Sequence, residues 1–172
     1  MREYLLQLTH YNIWANKLIV NTIKNNNTLF TKEIKSSFPT LEKTILHIWK
    51  AQDIWLSRLE GHEFLDWPSN QLTNKNQESI CAGLNHSSLE FFQFVDKQLP
   101  TFPTKVISYK NMKGVECHST TQEIIAHCMN HSTFHRGQLV TMLRNLGSDK
   151  IPSTDMISYF IQLKEKKKEI YD

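Results

Sequence analysis

The chain has 172 residues, carries 20 Lys and Arg against 17 Asp and Glu for a formal charge of +3, and contains only five Gly and five Pro. This length fits one hydrophobic core, and so one domain over residues 1–172, while the scarcity of chain breakers favours long helices. The weak basic balance excludes a nucleic-acid partner: no segment interleaves Lys or Arg with aromatics, and the densest run, Lys164-Glu165-Lys166-Lys167-Lys168, is broken by acid and lies at the C-terminus, where solvated tails are found.

The opening stretch, MREYLLQLTHYNIWANKL, has polar residues every three or four positions. It lacks the apolar core of a signal peptide or membrane span, so the first helix is expected to begin at once. From Glu3 to about Lys24 the residues Tyr4, Leu5, Leu8, Tyr11, Ala15, Leu18 and Ile19 recur at helical steps, and Asn25-Asn26-Asn27 ends the pattern. A second helix is expected from about Thr40, after Pro39, through Leu41, Ile45, Ile48, Trp49, Ala51, Trp55 and Leu59, with Gly61 as its stop. His47 lies inside it.

The Pro-, Ser- and Asn-rich stretch Trp67–Asn76 reads as a crossing loop, and a third helix follows over roughly Gln77 to Leu99, closed by Pro100 and Pro103. In VISYKNMKGVECHS two extended runs flank Asn111-Met112-Lys113-Gly114, which predicts a small β-hairpin. Thr120 with Glu123 forms a capping-box signature for a helix running to Leu146, and a short helix is expected after Pro152. The elements add up to an all-α fold, a four-helix bundle with a hairpin before the last long helix and a short C-terminal helix. Cys81, Cys117 and Cys128 are odd in number and lack a Cys-x-x-Cys pair, so they encode no disulfide framework and point to a reducing cytoplasm.

Chemistry concentrates in His127-Cys128-Met129-Asn130-His131-Ser132-Thr133-Phe134-His135-Arg136-Gly137-Gln138. Histidines four apart share a helix face about 6 Å apart along the axis, close enough to chelate one ion. The apolar stripe of Ile124, Ile125, Cys128, Leu139, Met142, Leu143 and Leu146 selects between pairs: His135 falls near its centre, His131 at its border, and His127 further toward the polar side. His131 and His135 are the preferred pair. A single histidine here reads as a half-buried structural group, but three at four-residue intervals weaken helix and core alike without such a use. A closed site needs a ligand from another helix. His10, His47 and His86 all qualify, and the periodicity of the second helix does not choose among them.

Tyr11-Asn12-Ile13-Trp14-Ala15-Asn16, His47 followed by Asp53-Ile54-Trp55-Leu56-Ser57-Arg58-Leu59, and Asn130-His131-Ser132-Thr133-Phe134-His135-Arg136-Gly137-Gln138 together resemble the DinB (damage-inducible) family of the DinB/YfiT-like superfamily. The resemblance covers essentially the whole chain; Thr154-Asp155 adds to it. It implies an up-down-down-up bundle, a homodimer, and one divalent transition-metal ion, nickel or zinc, held by His47, His131 and His135. It leaves His127 as a supporting or substrate-side group. The wider superfamily includes thiol-dependent transferases and isomerases, so the resemblance implies a metal-dependent hydrolase or thiol S-transferase acting on a small molecule or thiol. The rival reading is a non-enzymatic, stress-induced metal-binding or interaction protein.

Other prominent residues have simpler roles. Asp53 reads as a solvated partner of Lys50, Ser57 and Arg58, and Arg136 and Gln138 as structural or positioning groups. Trp14, Trp49 and Trp55 read as core or interface aromatics and Cys128 as core packing. No Gly-rich phosphate loop or serine elbow is present.

Overall fold

Caps and stops place the helix ends. A computed structural model describes residues 1–62, 70, 72, 75–111 and 113–171, with side chains as far as Glu165. Helix α1 spans Arg2–Lys24 and α2 spans Leu41–Glu60. Thr40 caps α2 by accepting from the Lys43 N–H at 3.1 Å, and Gly61 closes it at φ 80°, a left-handed conformation that strains any residue with a Cβ. Helix α3, Gln77–Asp96, is capped by Asn76 and stops short of the expected Leu99. Pro100 disfavours helical backbone at the residue before it, so the chain leaves the helix at Lys97.

Strands β1 (Val106–Lys110) and β2 (Glu116–Thr120) form the hairpin, with Ser108 opposite His118. Gly114 sits at φ 77° in the turn. Both halves of the capping box then form at the start of α4, Thr121–Asn145. The final helix, α5, runs from Met156 to Tyr171, longer than the short helix expected. Residue 112 of the predicted turn and most of the expected Trp67–Asn76 loop lie outside the described residues.

Side-chain pairs give the helix directions. Trp49 packs on Gly83 and Gln52 meets Ser88, so α2 and α3 run parallel. Lys24 pairs with Glu78, and Arg2 with Asp96, making α1 and α3 antiparallel. His47 meets His131, and Trp55 meets His127, so α2 and α4 are antiparallel as well. This is the up-down-down-up bundle, with α5 packed against α1 through Tyr159, Tyr11 and Trp14. Among the described residues no helix is long and apolar enough to cross a membrane.

Two apolar clusters fill the bundle. One gathers Ile19, Ile23, Ile45, Ile48, Trp49, Leu84, Leu139 and Leu143; the other gathers Leu5, Leu8, Leu56, Phe91, Val95, Ile125 and Cys128. Between them, at mid-height, lies a polar layer contributed by all four long helices. Arg136, 1% exposed, donates to Asn12 Oδ1 at 2.6 Å and Asn16 Oδ1 at 2.9 Å, and also to Thr133. Asn12 donates to Gln52 and Asn16 to Ser88. The guanidinium is held by amide dipoles, with no carboxylate ion-paired to it among the described residues. The structural role expected of Arg136 is therefore observed, and it extends through the core.

Candidate metal centre

The antiparallel contact of α2 and α4 sets His47 against the middle of α4, where His131 and His135 lie one turn apart. The three rings converge: His131 Nε2 stands 3.0 Å from His47 Nε2 and 3.1 Å from His135 Nε2. One ligand atom from each of the three residues lies within 4.8 Å of the others, and among the described residues no further His, Cys, Asp or Glu joins the group.

These distances fit a shared cation better than a chain of hydrogen bonds. An imidazole nitrogen carries either one N–H or one in-plane lone pair, so His131 Nε2 cannot bond fully to both neighbours. The His135 tautomer is set from outside: its Nδ1–H donates to Gln138 Oε1 at 2.7 Å, and the Gln138 amide N–H₂ donates to Ser37 Oγ at 3.0 Å. That leaves His135 Nε2 as a lone pair aimed at the cluster. Nitrogens sharing one ion at about 2.0–2.1 Å stand roughly 3.0–3.4 Å apart, the spacing of the two pairs that include His131. His131 Nδ1 is buried without a partner among the described residues.

The surroundings favour neutral, ligating imidazoles. Burial, followed by the neighbouring His135, His47 and His127, pushes His131 down to about 4. Burial, then His135 and Lys50, lowers His47. Phe38 lies over the His47 ring with centroids 4.4 Å apart, and Phe134, 62% exposed, stands edge-on to His135 at 5.0 Å. The segment before α2 thus delivers two residues, Ser37 and Phe38, that were not singled out from sequence. Their signal was Phe38-Pro39-Thr40, an extended lead-in to a helix cap.

The sequence profile of the DinB family matches residues 1–167. The chain belongs to the DinB family. It is 27% identical over 177 residues to Protein DinB of Bacillus subtilis (strain 168), covering 97% of this chain and 99% of that one. A crystal structure of a DinB-like protein from Bacillus cereus ATCC 10987 has the same fold, with a TM-score of 0.63 and 19% identity over 88% of this chain and 95% of its own.

In this DinB-family chain the other candidate ligands are elsewhere. His10 Nδ1 contacts the Tyr159 hydroxyl at 2.7 Å, and His86 lies beside Glu90. His127 is outside the cluster, one turn before His131: its ring centroid is 6.0 Å from His131 and 5.1 Å from Trp55. Burial lowers its pKa. Cys128 is fully buried, and burial raises its thiol far above neutrality, in keeping with core packing.

Asp53 departs from expectation. Rather than pairing with its helical neighbours in solvent, it faces α3, where Ser87 Oγ donates to Oδ1 at 2.6 Å. Oδ2 is buried with no partner among the described residues. Asp53 forms part of a cleft of about 480 Å³ with Leu56, Glu90 and Phe94. Burial, reinforced by Glu90 and opposed by the Ser87 hydrogen bond, pushes the carboxyl up to about 6.

Proposed function

We propose that His47, His131 and His135 hold one divalent transition-metal ion, nickel or zinc, in a metal-dependent enzyme that acts on a small molecule by hydrolysis or by transfer involving a thiol. The observation that carries this reading is the convergence of three imidazole nitrogens, two of them 3.0 and 3.1 Å from His131 Nε2. A three-histidine set leaves coordination positions open, unlike the filled sphere of a structural zinc. An ion so bound lowers the pKa of a bound water to about 7 or keeps a thiol as thiolate.

The chain's own groups have distinct parts. Gln138 holds His135 in the ligating tautomer, while Phe38 and Phe134 cover the rings on their outer sides. His127 is the nearest histidine beyond the cluster, and its lowered pKa leaves a ring nitrogen free to accept a proton from a bound water or thiol. The reading further includes a cytoplasmic homodimer without a nucleic-acid partner. The pairing rests on the family resemblance, and it would cover apolar side chains such as Leu89, Ile157 and Ile161 that are exposed on α3 and α5. Light scattering showing a monomer at micromolar concentration would remove that part.

Elemental analysis of the purified protein tests the centre. About one ion per chain is expected, and His47→Ala, His131→Ala and His135→Ala should each abolish it. A screen of activated esters and thiol-transfer substrates on wild type and His135→Ala then tests the enzyme. Metal binding without any small-ligand response of a cobalt-substituted sample would move the protein to the non-enzymatic class.

A further inference from the structure

A line of side chains runs from the three-histidine cluster toward the hairpin. Beyond His131 come His127, at 6.0 Å, and the Trp55 ring, 5.1 Å from His127. The line ends on Arg58, whose guanidinium carbon lies 4.4 Å from the Trp55 ring centre and 4.7 Å from that of Tyr109 in β1. Trp55 and Tyr109 are themselves edge to face at 5.2 Å. His47 and Arg58 are eleven residues apart on α2, which returns them to nearly the same face about 16 Å apart along the axis.

We infer that Arg58 is the anion-recognising end of the substrate site, so that the molecule whose reacting group meets the three histidines carries a carboxylate or similar anion roughly 12–16 Å away. The inference rests on the metal-centre reading above. Of the five N–H donors of the guanidinium, one hydrogen bond is formed within the described residues, from Nη2 to the Lys110 carbonyl at 3.0 Å. Among the described residues the remaining donors meet no acceptor, which leaves the planar fork that matches a carboxylate in two parallel hydrogen bonds. Contact with both rings already restricts the side chain, so ordering it on binding costs little. The position is half-buried, where a charge pair is screened less than on an open surface. His127 and Trp55, in contact with each other, lie between the two ends.

The probes are N-acetyl-Cys-Gly-Gly-Gly, its C-terminal amide and N-acetylcysteine, titrated into the cobalt-substituted protein while the visible spectrum reports thiolate ligation. The free-acid peptide should bind about tenfold more tightly than the amide at low salt. Arg58→Gln, which keeps a donor for the Lys110 carbonyl, should erase that preference and leave N-acetylcysteine unchanged. A loosened hairpin would weaken acid and amide together, and that result overturns the inference. Equal affinities in the wild type, or a preference surviving in Arg58→Gln, also overturn it while leaving the metal centre intact. If no thiol changes the spectrum of the cobalt-loaded protein, the enzyme reading falls and takes this inference with it, while the metal centre stands.

Discussion

His135 Nδ1 and Gln138 Oε1 are 2.7 Å apart across one turn of α4, and Ser37 fixes the far end of the same amide. This relay decides which His135 nitrogen is free to ligate. Gln138→Leu should therefore lower metal affinity about 10- to 100-fold without unfolding the protein, whereas Gln138→Glu should retain most of it. Competition with a chromophoric chelator measures the change, and an unaltered Gln138→Leu affinity would show that the relay has no orienting role.

Gly83 of α3 lies flat against the Trp49 indole of α2, with no room for a Cβ between them. Gly83→Ala should destabilise the protein by about 1–3 kcal/mol through overpacking, despite the better helix propensity of alanine. Trp49→Leu in the Gly83→Ala background should recover part of that loss. Urea denaturation showing a stabilised single variant would contradict the close approach.

Asp53 contributes a pH-dependent penalty. Its carboxyl titrates near 6 in the folded chain against 3.8 unexposed to the fold, so between those values the folded state binds more protons, and stability falls as pH rises through that window. Asp53→Asn keeps an acceptor for Ser87 and removes the charge. It should stabilise the protein at pH 7 by at most about 3 kcal/mol, less where cleft water solvates the carboxylate, and by almost nothing at pH 4. A gain that persists undiminished at pH 4 would assign the effect to something other than ionisation.

Arg136 sits in the core with amides as its acceptors. Removing an acceptor leaves a buried cation undersatisfied, whereas removing the cation leaves only neutral amides to satisfy. Asn12→Leu is expected to cost about 3–5 kcal/mol and Arg136→Met about 1–3 kcal/mol. Chemical denaturation of both variants checks the order, and a larger loss for Arg136→Met would mean that the charge is a net stabiliser.

What was legible in the sequence was mostly local. Thr40, Gly61 and the Thr120–Glu123 box act within one turn of their own helix, so their signals survive in a linear reading. The His131 and His135 pair was legible for the same reason. His47 was not readable from its own helix, because its partner is 84 residues away; resemblance to a family supplied it. The setting of Asp53 is not legible locally: Ser57 and Arg58 are its neighbours in sequence, while the group that bonds it, Ser87, is 34 residues distant. The mid-core layer was likewise hidden, since Arg136 and Asn12 meet across 124 residues.

Residues 135 and 136 are adjacent yet face different neighbours about 100° apart around α4, one toward His131 and Gln138 and the other toward the asparagines of α1. Helix α4 is thereby pinned against rolling about its axis, since any roll that moved one side chain would tear the other from its partners. The two histidines of α4 thus behave as a fixed tool mount. Differences in the ligands admitted would then have to come from the side chains that border the centre from other segments, Phe38 ahead of α2 on one side and Tyr109 of the hairpin on the other. Relatives with a similar histidine set and different lead-ins or hairpins would, on this view, share a reaction centre and differ in what they admit to it.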